Sequence, residues 1–174
     1  KIFIPNQLST AVLLLIFKRL DTTKRVFEAI RRAKPPRLYI AADGHRSDIP
    51  NEEKQVLEVR NYVLSNIDWD CKVKALFQER NKGCGVAVTK AINWFFEFEE
   101  TGIIFEDDVL PDPSFFPFCE ELLKRYRDES RVMAIGGSYF AGEKNRPTNS
   151  YYFSRYPHLW GWATWRRAWI NYDW

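Results

Sequence analysis

At 174 residues the chain can bury one sizeable core, which points to a single domain. Its 26 basic and 23 acidic residues leave a net charge of +3, too little to argue for nucleic acid or a charged membrane surface as partner. The longest apolar run, Ala11–Phe17, is far shorter than the roughly 20 residues of a membrane-spanning helix, so it reads as a buried strand.

After that strand, Asp21 and Thr22 are placed to cap a helix whose apolar face is Val26, Phe27, Ile30 and Ala33. Pro35-Pro36 ends it. Arg37–Ala42 is a second strand, closing on Asp43-Gly44. Helical spacing returns over Glu52–Ile67, with Val56, Val59, Val63 and Leu64 on one face. Cys71–Phe77 alternates as a third strand. The loop from Glu79 to Gly85 opens a helix over Val86–Glu99, and Gly102–Phe105 is a fourth strand. Ser114 caps a helix over Phe115–Arg127, Arg131–Ile135 is a fifth strand, and the polar segment 141–150 is a loop. Strand and helix alternate at least four times, which predicts an α/β domain with a mainly parallel sheet flanked by helices. Ligands of such sheets bind outside the carboxyl ends of the strands. Asp43, the Arg80–Gly85 loop, the acids at 106–108 and Gly136–Ser138 all follow strands and are expected to converge there.

Cys71, Cys84 and Cys119 form no CxxC pair, zinc pattern or dense disulfide framework, so a reducing, cytoplasmic setting is the default expectation. The sequence starts at Lys1 and shows no signal peptide, and it reads as a fragment trimmed at one or both ends.

The most informative motif is Glu106-Asp107-Asp108, where an apolar strand surfaces into a loop. Neighbouring carboxylates repel and raise each other's pKa unless a cation neutralises them. They suit a hard divalent ion with spare coordination positions, which could also grip a diphosphate. The competing reading, a solvated turn with Asp112 or Ser114 capping the next helix, needs only one of those two residues and leaves the three adjacent acids unexplained. Arg80-Asn81-Lys82-Gly83-Cys84-Gly85 offers two cations, two glycines and a helix start, as a phosphate site does. It is neither a Walker loop nor GxGxxG, and an ordinary strand-to-helix turn is the competing reading. Asp43 either accepts a hydrogen bond from a base or ribose edge or simply makes the turn before Gly44. The aromatic segment around Trp160, Gly161 and Trp162 is either core or the face on which a sugar ring lies. His45 and His158 are read as surface or packing residues.

Taken together, these stretches resemble a GT-A-fold, Rossmann-like nucleotide-sugar glycosyltransferase of the N-acetylglucosaminyltransferase I type, over nearly the whole chain from Ala11 to Trp174. The resemblance rests on Tyr39-Ile40-Ala41-Ala42-Asp43-Gly44, Asn81-Lys82-Gly83-Cys84-Gly85, and Ile104-Phe105-Glu106-Asp107-Asp108-Val109 with Pro113-Ser114-Phe115-Phe116 beyond it. Arg19 after the first strand and Gly161-Trp162 add to it. It implies Mn2+ (or Mg2+) on Asp108, bridging the diphosphate of a UDP-linked donor. It implies Glu106 and Asp107 at the ribose and donor sugar, Asp43 at the uracil edge, Arg19 beside the nucleotide, and Arg80 near the diphosphate. Gly83, Gly161 and Trp162 complete the implied substrate contacts. The partners implied are a nucleotide-sugar donor and a carbohydrate or other hydroxyl acceptor. The resemblance places the base of an inverting transfer beyond the Gly-Trp segment. Asp173 is the one acid there, so the base is expected beyond Trp174. Two other classes stay open: a sugar-nucleotide pyrophosphorylase, disfavoured because Phe17-Lys18-Arg19-Leu20-Asp21 lacks glycine, and a non-catalytic nucleotide-binding relative.

Overall fold

A computed structural model describes residues 8–140 and 149–173. The elements in chain order are β1 (Ala11–Ile16), α1 (Leu20–Ala33), β2 (Arg37–Ala42), α2 (Glu52–Ser65), β3 (Lys72–Phe77) and α3 (Cys84–Phe98). They continue with β4 (Thr101–Glu106), α4 (Phe115–Arg125), β5 (Ile135–Gly136), β6 (Trp162–Trp165) and α5 (Arg166–Trp169). Six strands form one sheet in the order β3-β2-β1-β4-β6-β5. The pairs among β3, β2, β1 and β4 are parallel, and β6 runs antiparallel to both β4 and β5.

Every residue of β1 is buried, as a central strand covered on both faces requires. Its side chains alternate between two cores. Val12, Leu14 and Ile16 face the core built with α1, α2 and α4, while Ala11, Leu13 and Leu15 face the one built with α3. The chain runs outward along one face through α1 and α2, then crosses on the other face through α3 to place β4 beside β1. Right-handed crossovers dictate this change of face when the direction of strand addition reverses. The reversal puts a topological switch point between β1 and β4, and a crevice opens there at the strands' carboxyl ends.

Several boundaries differ from the sequence expectation for local reasons. Helix α1 starts at Leu20, so Asp21 and Thr22 lie inside its first turn; the Thr23 hydroxyl donates to the Arg19 carbonyl at 2.6 Å. Ser114 does occupy the N-cap of α4, but its hydroxyl donates to Asp112 at 2.6 Å and caps nothing. Leu64 is exposed, leaving Val56, Val59 and Val63 as the buried face of α2. The strand expected over Arg131–Ile135 shrinks to Ile135–Gly136, because only those residues pair with β6. Strand β6 itself was not anticipated. Of the loop expected at 141–150, residues 141–148 lie outside the described residues. No helix among the described residues is long and apolar enough to cross a membrane.

Candidate active site

At the carboxyl ends of β1, β2 and β4 lies a cavity of about 330 Å³. Arg19, Asp43, Arg46, Gly83, Glu106 and Asp107 contribute to its wall, and apolar residues of β1, β2 and α3 make its floor. A chain that forms four parallel strands brings these polar residues together although 88 positions separate Arg19 from Asp107.

One wall is the junction of the β2 end with the loop before α3. A side chain on Gly44 would place Cβ 2.4–2.6 Å from the Arg80 backbone, so only glycine allows this approach. The Asn81 amide donates to the Gly44 carbonyl at 2.8 Å. The Asp43 carboxylate accepts from the backbone amides of Gly44, Lys82 and Gly83 at 2.9–3.0 Å. From α2, Arg60 donates to the carbonyls of Asp43 and Gln78, both at 2.9 Å, with its guanidinium over the Phe77 ring. Desolvation there lowers the Arg60 pKa. Asp43 is thus first a clamp for the 80–83 loop. Three N–H donors meet roughly four lone-pair sites on a carboxylate, which leaves room for one more donor.

The opposite wall is the acidic triplet. Asp107 is buried, and Arg19 ion-pairs with both Asp107 and Asp108, the latter at 3.0 Å. Burial pushes the Asp107 carboxyl up, against the pull of Arg19. Glu106 is also raised, first by desolvation and then by its two acidic neighbours. Asp107 Oδ2 is buried and has no hydrogen-bond partner. An unsatisfied, buried carboxylate oxygen costs about 1–3 kcal/mol and invites a ligand. Among the described residues no three His, Cys, Asp or Glu side chains converge as a metal cluster. What the triplet offers a hard cation is one or two carboxylate oxygens.

Beyond Asp108 lies a second and larger cavity, of about 1200 Å³. Its lining includes Asp108, Tyr152, Phe153, His158, Trp160 and Gly161. The rings of His158 and Trp160 are stacked, 10° from parallel, and Phe140 meets both edge-on. Gly161 has φ +69°, and a Cβ there would press on Val109 at 3.0 Å and on the Phe105 ring. Glycine therefore lets the β6 entry pass close behind the acidic loop.

The structure brings Arg19, Asp43, Gly83, Glu106 and Asp107 to the smaller cavity, and Asp108 and Gly161 to the larger. Arg80 lines neither, and the Gly83 amide points to Asp43 and Asn81. Trp162 lines neither as well; it sits on β6 against Trp169. Asp173 is exposed and lines neither. The sequence reading missed Arg46, Arg60, Lys18 and Glu52. Glu52 is fully buried, and it accepts from Lys18 at 2.7 Å and from the Arg46 backbone amide at 2.8 Å and side chain at 3.0 Å. These cations hold its carboxyl well below the usual range. The available signal was a glutamate at the first turn of a helix, which by itself reads as a dipole partner.

No family model matches the chain, and no curated protein matches it in sequence. Among solved structures it is similar to the mannosyltransferase PcManGT from Pyrobaculum calidifontis, in complex with GDP-Man and Mn2+, with TM-score 0.50 and 13% identity. The match covers 76% of this chain and 36% of that one. The chain has an α/β, Rossmann-like fold, which it shares with that structure. At this identity the likeness concerns the fold, and the larger part of the mannosyltransferase has no counterpart here.

Proposed function

We propose that the chain is the donor-binding part of a metal-dependent glycosyltransferase that moves a sugar from a nucleoside diphosphate, UDP in the first instance, to a hydroxyl acceptor with inversion. The observation that carries this reading is the position of Asp107 and Asp108. They stand at the switch point between β1 and β4, with one cavity on each side. The structural neighbour, a mannosyltransferase in complex with GDP-Man and Mn2+, supports the same general chemistry. The N-acetylglucosaminyltransferase I type is the subclass favoured by the sequence motifs.

In this reading the whole nucleoside diphosphate occupies the smaller cavity, its phosphates reaching from there to the edge at Asp108. Asp43 accepts one further hydrogen bond, from the base edge, while it holds the 80–83 loop in place. Glu106 and Asp107 accept from ribose and sugar hydroxyls. Asp108 would hold Mn2+ or Mg2+, which supplies a Lewis acid for the charge growing on the leaving diphosphate. Arg19, already among these carboxylates, offers its guanidinium to the same charge. The acceptor enters from the larger cavity, where exposed rings suit the C–H face of a sugar. Asp108 and Asp112 are the acids of that cavity among the described residues, and Asp112 is engaged by Ser114. The base that takes the acceptor's proton is therefore proposed to lie outside the described residues.

Titration calorimetry tests this directly. UDP should bind in the presence of Mn2+ and lose most of its affinity under chelation, and it should outcompete GDP. Equal affinity with and without metal removes the metal from the reading. Preference for GDP transfers the assignment to a guanosine donor.

A further inference from the structure

The wall of the smaller cavity carries a second cation besides Arg19. Two cations line it among the described residues, Arg19 and Arg46. Arg19 is engaged by Asp107 and Asp108. Arg80 and Lys82, the cations expected at a phosphate from sequence, line neither cavity. Arg46 is therefore the cation of the wall that is not already committed to the acidic triplet.

Arg46 is held in an unusual way. Its Nε, its Nη2 and its backbone amide all donate to Glu52, a carboxylate with no exposed surface. This side-on pairing leaves Nη1 outside it. Lys18 donates to the same carboxylate, from the loop that also carries Arg19. A carboxylate is costly to bury and one cation neutralises it. Here Lys18 and Arg46 share one buried acid, so Glu52 does not depend on Arg46 alone for its neutralisation. A planar guanidinium fixed along one edge loses little freedom when its other edge meets a phosphate.

We infer that Arg46 is a phosphate-binding residue of the smaller cavity and that the buried Glu52 is its positioning residue. The inference rests on the reading of this cavity as a nucleoside-diphosphate site, and it names the side chain that replaces Arg80 there. The shared chemistry is a diphosphate; the base attached to it is immaterial to Arg46.

The test compares nucleotide with nucleoside on the whole protein in Mn2+ buffer, by calorimetry with UDP and uridine and with GDP and guanosine. Arg46→Gln should weaken the diphosphate that binds by about 10- to 100-fold, the usual range for one charge-assisted contact, and leave its nucleoside unchanged. Glu52→Gln should move the ratio in the same direction by less, and Arg46→Lys should restore only part of the loss. A folding defect in Glu52→Gln does not obscure the outcome, since Arg46 is partly exposed and its variants decide alone. Equal loss for nucleotide and nucleoside would overturn the phosphate contact, because a purely structural or base-reading role moves both. An unchanged ratio in Arg46→Gln, with wild-type protein binding UDP or GDP, would overturn this inference and spare the reading of the cavity. Failure of the wild-type protein to bind either diphosphate would overturn both.

Discussion

The two cavities on either side of the Asp107-Asp108 turn are built by different means. The smaller one is fixed by backbone: strand ends, the glycine contact at Gly44, three amides on Asp43 and a buried ion cluster at Glu52. The larger one is lined by side chains on loops around β5 and β6, with Trp160, Phe153 and Tyr156 well exposed. A site held by main-chain bonds suits one invariant ligand shape, such as a nucleoside diphosphate. A site lined by exposed rings suits a ligand recognised by its apolar faces, and loop variation can retune it without disturbing the first.

The largest test of this division is Asp108→Asn, which strikes the shared boundary. Sugar transfer, as proposed, should fall by about 10²–10³-fold, as when one transition-state electrostatic contact is lost. Nucleotide affinity should weaken by about 1.5–3 kcal/mol and the melting temperature should hold, since the residue is on a loop. Unfolding with unchanged nucleotide affinity would make the triplet a structural feature.

Next in size is Gly44→Ala, which breaks the smaller cavity alone. The new methyl would meet the Arg80 backbone at 2.4–2.6 Å, so the loop must shift and the Asp43 clamp must open. Overpacking of this kind costs about 1–3 kcal/mol. Chemical denaturation should show that loss together with weaker UDP binding, while the apparent affinity for acceptor stays constant. A parallel loss of acceptor affinity would show that the two cavities are one cooperative unit.

Trp160→Ala addresses the larger cavity. Stability should change by less than about 0.5 kcal/mol, as for an exposed residue. The acceptor KM should rise several-fold against a pool of oligosaccharides, and UDP affinity should be unchanged. An unaltered KM would remove the aromatic stack from the acceptor site.

The smallest effect is on pH dependence. The Glu52 pKa is depressed in the folded state. Its contribution to stability is therefore fully present above its unfolded value, about 4.3. It fades as pH falls through the folded value. Denaturation curves between pH 7 and pH 3 should be steeper at the acid end for the wild type than for Glu52→Gln. Parallel curves would mean that the Lys18–Glu52–Arg46 cluster does not depend on ionisation.

The alternation of apolar runs with amphipathic helices made the first four strands and helices legible, because period and chain-local capping decide those elements. The position of the acidic triplet was legible as well, since an apolar run must surface where the charged residues begin. Strand β6 was not. Its four residues sit in an aromatic run, and what makes them a strand is antiparallel pairing with Thr101–Ile104, some 60 positions earlier. Glu52 and Arg46 look in sequence like surface charges around a helix start. Only packing of α2 on the sheet takes Glu52 out of water, and only then must Arg46 and Lys18 close on it. The local order of the chain thus determined the fold class and the place of the acidic triplet at a strand end. The tertiary structure decided which cations face the smaller cavity, because burial and charge pairing depend on neighbours that sequence distance hides.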